Sequence, residues 1–382
     1  MRSELTRRAV LKVSGVAAAG ACLPPTLLRA ASPPVAPVAI TRCRSYGKEM
    51  AAALDDLFQK LGGLKPLVSG KTVAIKINLT GGVRPVLGGR SAGQTYHVHP
   101  DLILACCQAF AKAGAKRVRL LEGWPPTVSA EKFLGECGWN LRALKAAGNV
   151  EWENTNNRGA AKQYSTLKVR GQAYIYPSFA VNHSYEDADF FVSLAKMKNH
   201  YTAGITLALK NYFGIAPTSL YGDDAGSETA SAPRVKTFHR GSAQPAAPAA
   251  AELNRSTPRD DGHRVPRIVA DLVGAAPPIA LSIIDGIQSV QGGEGPWIKP
   301  LRIVDPGLLV AGLNPVCTDA VCTAVMGYDP AAEFGTPPLY HGDNTIKLAE
   351  AVGLGSADLK QIEVRGLSIK DALYPFEPKA RS

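Results

Sequence analysis

The sequence predicts an α/β fold: a mainly parallel sheet flanked by helices, with a less regular inserted subregion and a long flexible loop. Three observations lead there. Apolar runs of strand length alternate with helical patterns over most of the chain. The alternation loosens between Trp124 and Pro177. A stretch of Gly, Ser, Pro, Ala and scattered charge then runs from Thr218 to His263 with almost no apolar periodicity.

The first 31 residues stand apart from this pattern. Thr6-Arg7-Arg8-Ala9-Val10-Leu11-Lys12 places paired arginines before an apolar run from Val13 to Leu23, the order of a charged region and a short hydrophobic region in an export signal. The run is too short and too rich in Ala and Gly to span a bilayer, and Pro24-Pro25 ends any helix there, so no permanent membrane anchor is expected. The reading is a twin-arginine signal peptide over residues 1–31. Its partner is the twin-arginine translocase, processing falls near Ala30-Ala31-Ser32, and the mature protein is periplasmic or extracellular. Lipidation at Cys22 is the alternative.

Residues 32–382 then read as one α/β domain. Strand Val35 to Thr41, helix Lys48 to Leu61, strand Thr72 to Ile77, helix Pro100 to Ala113 and strand Arg117 to Leu121 follow in βαβαβ order. Tyr164 to Val169 and Ala173 to Tyr176 are expected as hairpin strands of the appended subregion. Regular alternation returns with strand Phe190 to Leu194, helix Ala203 to Phe213, helix Val265 to Gly274, strands Ala280 to Ile284 and Leu308 to Ala311, helix Val316 to Met326 and a last strand Gln361 to Val364. The segment Thr218 to His263 is expected to be a mobile lid, because it offers little apolar surface against its ordering entropy.

Charge and cysteine usage narrow the function. Removing residues 1–31 takes away five basic residues (Arg2, Arg7, Arg8, Lys12, Arg29) and Glu4, which lowers the formal net charge from +11 to +7. No basic block or aromatic stacking pattern remains for nucleic acid. Seven cysteines without a Cys-x-x-Cys pair are neither a disulfide framework nor a zinc or iron–sulfur set.

The densest polar constellation runs from Lys196 to Asn211, starting where a predicted strand ends. Ligands of parallel sheets gather at that edge, and Lys196, Lys198, His200, Lys210 and Asn211 would offer positive charge and hydrogen bonds to an anion there. Lys76 and Asn78 end an earlier strand at the same edge, before a glycine-rich loop with Arg84 and Arg90. Asp285 follows the strand Ala280 to Ile284 and is a candidate base or metal ligand. His97 and His99 alternate on one face of an extended segment, compatible with a metal or with helix-entry hydrogen bonding.

The run Lys198-Asn199-His200 through Thr206-Leu207-Ala208-Leu209-Lys210-Asn211-Tyr212-Phe213-Gly214, with Lys76-Ile77-Asn78-Leu79 and Asp285-Gly286, resembles the domain of unknown function family 362. Asn314-Pro315-Val316-Cys317-Thr318-Asp319-Ala320 and Met326-Gly327-Tyr328-Asp329-Pro330 fit the same family, and the likeness extends from about Val38 to Val364. Many relatives of that kind carry ferredoxin-type cysteine runs. This chain has none, so no iron–sulfur cluster is expected. More locally, His200-Tyr201-Thr202-Ala203-Gly204 followed by Lys210 is similar to the nickel-pincer lactate racemases, whose corresponding lysine carries a nickel-bearing nucleotide. The resemblance implies such a cofactor on Lys210, although the family's Gly-Gly-Arg before the lysine is Leu207-Ala208-Leu209 here and its Pro-Gly after it is Asn211-Tyr212.

Geometry adds a condition. One continuous helix over 202–210 would separate His200 from Lys210 by about 15 Å along its axis. Either the helix breaks near Gly204 or the two residues hold opposite ends of something as long as a nucleotide. The expected function is an exported protein whose basic crevice binds an anionic small molecule or cofactor, an enzyme using Lys210, His200 and Asp285 in acid–base chemistry. The alternative is a periplasmic binding or scaffold protein without turnover.

Overall fold

The computed structural model describes residues 32–82 and 87–378. The twin-arginine segment, Cys22 and Arg84 lie outside the described residues. Fourteen strands run in chain order among those described. They are β1 (Val38–Arg42), β2 (Thr72–Lys76), β3 (Arg117–Glu122), β4 (Val150–Asn154), β5 (Tyr164–Lys168), β6 (Ser178–Asn182), β7 (Phe190–Lys196), β8 (Lys198–His200), β9 (Gly204–Thr206), β10 (Ile279–Gly286), β11 (Ser289–Gln291), β12 (Arg302–Val304), β13 (Leu308–Gly312) and β14 (Val364–Gly366).

Eight of them form one sheet in the order β14-β1-β13-β10-β7-β2-β3-β4. All neighbours in it are parallel except those of β13, which runs against both β1 and β10. Both faces are covered, as a largely parallel sheet requires. Along β7, Phe191 and Ala195 face the core beneath helices Asp261–Ala275 and Pro315–Val325, while Phe190, Val192 and Leu194 face the core beneath helices Glu49–Lys60 and Pro100–Lys112. That double burial is why the central strands read as unbroken apolar runs.

Helix starts follow capping chemistry. Asp260 accepts from the His263 N–H at 2.8 Å, Asn314 from Val316 and Cys317 at 2.9 and 3.1 Å, and His99 Nδ1 from Asp101 at 3.2 Å, each ahead of its helix. No helix among the described residues is long and apolar enough to cross a membrane.

Three expectations change. The helix expected over Ala203 to Phe213 is broken: Gly204–Thr206 is a strand paired with Lys198–His200, and only Ala208–Asn211 is α-helical. Gly204 has φ +73°, a left-handed conformation that glycine adopts without strain, and a side chain there would approach Leu339 at 2.8 Å. The strand expected over Ala173 to Tyr176 does not form. Instead the buried Asp271 carboxylate accepts the N–H groups of Tyr174, Ile175 and Tyr176 at 2.7, 2.7 and 3.0 Å, and β5 pairs with β6. The segment 218–263 is irregular, as expected, yet anchored: Leu220, Tyr221 and Phe238 are buried in the core, and Glu252 forms a fully buried ion pair with Arg264 at 2.7 Å. Single large side chains hold it, a pattern that has no period to detect.

Candidate functional site

β2, β7 and β10 are parallel neighbours: Lys196 ends β7 opposite Asp285 of β10, and Lys76 ends β2 opposite Ser193, three residues before the end of β7. From β2 the chain proceeds outward through β3 and β4, whereas β7 returns to the other side of β2 and leads on to β10. The strand order therefore reverses between β2 and β7, where an open α/β sheet presents a crevice. The sequence-predicted residues gather there, but in three separate groups.

The first group is closed. Lys196 and Asp285 are both fully buried, with Nζ 2.9 Å from Oδ2. The Lys196 ammonium also donates to the Tyr46 hydroxyl at 3.0 Å and the Gly93 carbonyl at 2.8 Å, which uses all three of its protons. Asp285 further accepts from the Tyr46 hydroxyl at 2.8 Å and the His99 N–H at 3.0 Å. Burial lowers the Lys196 pKa and Asp285 opposes that. With every proton and most lone pairs engaged, this pair ties the glycine-rich loop to the sheet, a different part from the ligand contact and base expected of Lys196 and Asp285.

The second group is also internally satisfied. Lys76 Nζ lies 3.0 Å from both Glu122 oxygens and donates to the Ile77 carbonyl. Asn211 Nδ2 donates to the Lys76 carbonyl at 3.1 Å and to Ser193 Oγ at 3.1 Å. Glu122 accepts the Leu79 and Gly123 N–H groups at 2.9 and 2.8 Å. Lys76, Glu122 and Asn211 thus lock the ends of β2, β3 and β7 together. A side chain at Gly214 would stand 3.0 Å from the Lys76 ammonium, so glycine lets that turn close over it.

The third group is open. Lys210 sits on the short helix Ala208–Asn211, whose first N–H groups are held by buried Asp319: Oδ1 accepts from Ala208 and Oδ2 from Leu209, both at 2.9 Å. Burial lifts the Asp319 pKa to about 7, against those two donors. Lys210 is partly exposed, its ammonium lies 4.1 Å from the Phe213 ring centroid, and no carboxylate pairs with it among the described residues. Desolvation drives its pKa down to about 7; Glu294 pulls upward, and Arg234 and Lys76 push further down.

His200 lies near enough to Lys210 to feel its charge. Its Nδ1 accepts the N–H groups of Thr202 and Ala203 at 3.2 and 3.3 Å and lies 3.8 Å from Glu294 Oε2. Desolvation and Lys210 depress its pKa to about 3, Glu294 opposing. A ring nitrogen that accepts two backbone protons carries none of its own, so the imidazole is neutral with its proton on Nε2, and the contact with Glu294 is not an ion pair. Burial raises the Glu294 pKa, but a charge on His200, the Tyr201 N–H at 2.8 Å and the Trp297 indole N–H at 2.8 Å lower it below the usual carboxylate value. With His200 neutral its share of that lowering is absent, and the two N–H donors are what stabilises the carboxylate.

Lys198 is fully buried and donates to the Tyr96 carbonyl. Desolvation holds its pKa well below the usual lysine value; Glu294 opposes this, while Lys196 and Lys210 add to it. Across the β8–β9 pairing stands Thr206, whose buried hydroxyl has no hydrogen-bond partner among the described residues. Asn78 Oδ1, at the end of β2, is likewise buried and unpartnered.

The two histidines do not form a joint ligand pair. His97 Nε2 lies 3.0 Å from the Thr80 carbonyl, and burial depresses its pKa to about 3. His99 caps its helix through Nδ1 and stacks on Tyr46 with ring centroids 3.7 Å apart. No group of three or more His, Cys, Asp or Glu able to hold a metal occurs among the described residues. His200, protonated at Nε2 and accepting at Nδ1, has no lone pair to give a metal. The donors among the described residues therefore do not make a metal site from protein ligands alone.

Sequence reasoning missed Glu294 and the part played by Asp319. Glu294 lies in Gly292-Gly293-Glu294-Gly295-Pro296 after β11, a carboxylate framed by glycines that could have been singled out. Nothing local in the sequence pairs Asp319 with residues 208 and 209.

The profile of a domain of unknown function, DUF362, matches residues 73–324, more than half of the chain. The protein belongs to this family. Thylakoid-associated protein sll1697 from Synechocystis sp. is 26% identical over 301 residues, 77% of this chain and 75% of that protein. Two solved structures are also similar to the chain, at low identity. A Thermotoga maritima protein gives a TM-score of 0.33 at 16% identity, over 67% of this chain and 53% of that one. The lactate racemase apoprotein from Thermoanaerobacterium thermosaccharolyticum gives 0.34 at 13%, over 70% and 54%. The chain spans about half the length of each of these two structures.

Proposed function

We propose that Lys198, His200 and Lys210 line a crevice that binds an anionic small molecule, and that Lys210 exchanges a proton with it, making the protein an enzyme whose reaction is unassigned. The observation that carries this reading is the Lys210 amine: partly exposed, paired with no carboxylate, and with a pKa of about 7. Such an amine is present in both protonation states near neutrality, as general acid–base work requires. An arriving anion favours the charged form of both depressed lysines, so binding is accompanied by proton uptake. The neutral His200 contributes an Nε2–H donor, while Glu294 keeps the cluster from becoming an uncompensated positive well.

Binding without turnover is the second reading. It gains support from Asp285, the expected base, being enclosed with Lys196. We also propose that the protein works outside the cytoplasm after twin-arginine export, supported by the Arg7-Arg8 motif and the apolar run that follows.

The test is ligand retention. Protein purified from its native host is denatured, and the released small molecules are compared by mass spectrometry between wild type, Lys210→Ala and Lys210→Arg, alongside thermal midpoints. Loss of an anionic compound in Lys210→Ala at unchanged stability supports the reading. Restoration by Lys210→Arg means that charge suffices, and failure to restore points to the amine itself. Wild-type retention by Lys210→Ala removes the residue from the site.

A further inference from the structure

The short helix that carries Lys210 is held at its two ends by different chemistry. Ala208–Asn211 is a single turn, too short to persist on its own hydrogen bonds, and Leu207 at its cap position offers no side-chain acceptor. At the far end Asn211 Nδ2 donates to the Lys76 carbonyl and to Ser193 Oγ, both at 3.1 Å, and to the Leu194 carbonyl at 3.3 Å. At the near end the acceptor comes from another helix, Pro315–Val325. Its Asp319 is 2% exposed, and each carboxylate oxygen takes one N–H, from Ala208 and from Leu209. The amide end is indifferent to pH; the carboxylate end is not.

Among the described residues that carboxylate is buried without a counter-cation. The elements packed on its helix spend their charges elsewhere. Asp285 of β10 is committed to Lys196, and Arg42 of β1 to the Pro306 and Asp371 carbonyls. Lys347 and Glu350 of helix Thr345–Ala351 serve Glu333 and the Ala357 N–H, Asp371 of helix Ile369–Ala372 serves Ser368, and Lys370 is exposed. β13 carries no ionisable side chain. On its own helix Asp319 acts on Cys322, whose thiol burial and that carboxylate together keep protonated. Lys210 answers to desolvation, Glu294, Arg234 and Lys76, so what joins it to Asp319 is the backbone. Burial raises the Asp319 pKa to about 7 against its two donors. An ionised carboxylate accepts both N–H groups, whereas protonation turns one oxygen into a donor whose proton competes for the same place. One of the two bonds then weakens, at the end of the helix that has no other cap.

We propose that Asp319 is a positioning residue that gates the crevice by proton: ionised, it closes the first turn of the Lys210 helix and fixes the amine in its desolvated place, and protonated, it frees that turn and lets the amine swing toward water. The proposal rests on the reading of Lys210 as the reactive amine and adds its regulation. The site is assembled above neutral pH and loosened below it.

Amide hydrogen exchange of the mature chain tests it, resolved at Ala208 and Leu209 by NMR, corrected for the intrinsic pH dependence of exchange, and compared at about pH 5.5 and 8.5 in wild type and Asp319→Asn. In wild type the protection of these two amides should fall at least tenfold from the higher pH to the lower, while that of the β7 amides holds. Asparagine keeps one acceptor and puts a donor in place of the other, so the variant should show the low value at both. Equal protection at the two pH values in wild type overturns the proposal. A variant that keeps the wild-type response assigns that response to another group, Lys210 included, and overturns it as well. Acetylation of Lys210 gives the second readout: its midpoint in Asp319→Asn should move up from about 7 toward 10.5, and an unmoved midpoint severs Asp319 from the amine. A wild-type midpoint near 10.5 removes the crevice reading and this inference with it, whereas a flat amide profile removes the inference alone. Where the asparagine variant fails to fold, the wild-type amide profile decides.

Discussion

Replacing Lys210 by Met removes a cation that the folded chain holds unfavourably. Its pKa falls from 10.5 in the ordinary state to about 7 in the fold, chiefly through desolvation. Below pH 7 the folded and unfolded chains both carry the proton, and the full penalty of the buried charge is present. Between about pH 7 and 10.5 only the unfolded chain holds it, so the Lys210 contribution makes stability rise with pH across that window; above it the penalty is gone. The displacement corresponds to at most about 5 kcal/mol. Partial exposure of the side chain reduces this, and the lost cation–π contact with Phe213 offsets about 0.5–1 kcal/mol more. A net gain of about 2 kcal/mol for Lys210→Met at pH 6 remains after both corrections. Urea unfolding of variant and wild type at pH 6 to 10 reads the difference directly, and the gap should close as pH rises through 7. A variant less stable than wild type at pH 6, or a gap independent of pH, would refute the argument that the amine is an unpaired, desolvated cation.

Two other outcomes follow from the same structure and sequence. Glu252→Gln leaves the fully buried Arg264 guanidinium without its counter-charge, so it should cost about 3 kcal/mol and speed proteolysis around the exposed residues Leu253 to Ser256, while proteolysis as slow as in wild type would mean the segment is anchored otherwise. Arg7→Lys combined with Arg8→Lys should leave a folded precursor in the cytoplasm on cell fractionation, because the export route reads the guanidinium pair itself; normal export of that variant would remove the signal reading.

The fold was largely legible because buried parallel strands declare themselves as short apolar runs, and β2, β3, β7, β10 and β13 lie where such runs stand. The region after β7 was not, because Ala203 to Phe213 has apolar spacing that suits a helix, while the left-handed Gly204 and the pairing of Lys198–His200 with Gly204–Thr206 override it. That break is one of the two alternatives the 15 Å argument allowed, and it brings His200 near enough to Lys210 for the amine to depress its pKa. Strand-end position drew attention to Lys76, Lys196, Lys198 and Asp285, but position cannot say which of them is already paired. Glu122 and Tyr46, which occupy Lys76, Lys196 and Asp285, are distant in sequence. Glu294 acts on Lys210, and Asp319 on the short helix that carries it, across similar separations.

The most direct measurement is the titration of the Lys210 amine itself. Competitive acetylation of the mature protein from pH 5 to 11, read peptide by peptide by mass spectrometry, gives the apparent pKa of each lysine. The account predicts half-maximal modification of Lys210 near pH 7, with suppression when the co-purified anion is restored. Half-maximal modification of Lys210 only near 10.5, or equal reaction with and without the anion, would contradict it.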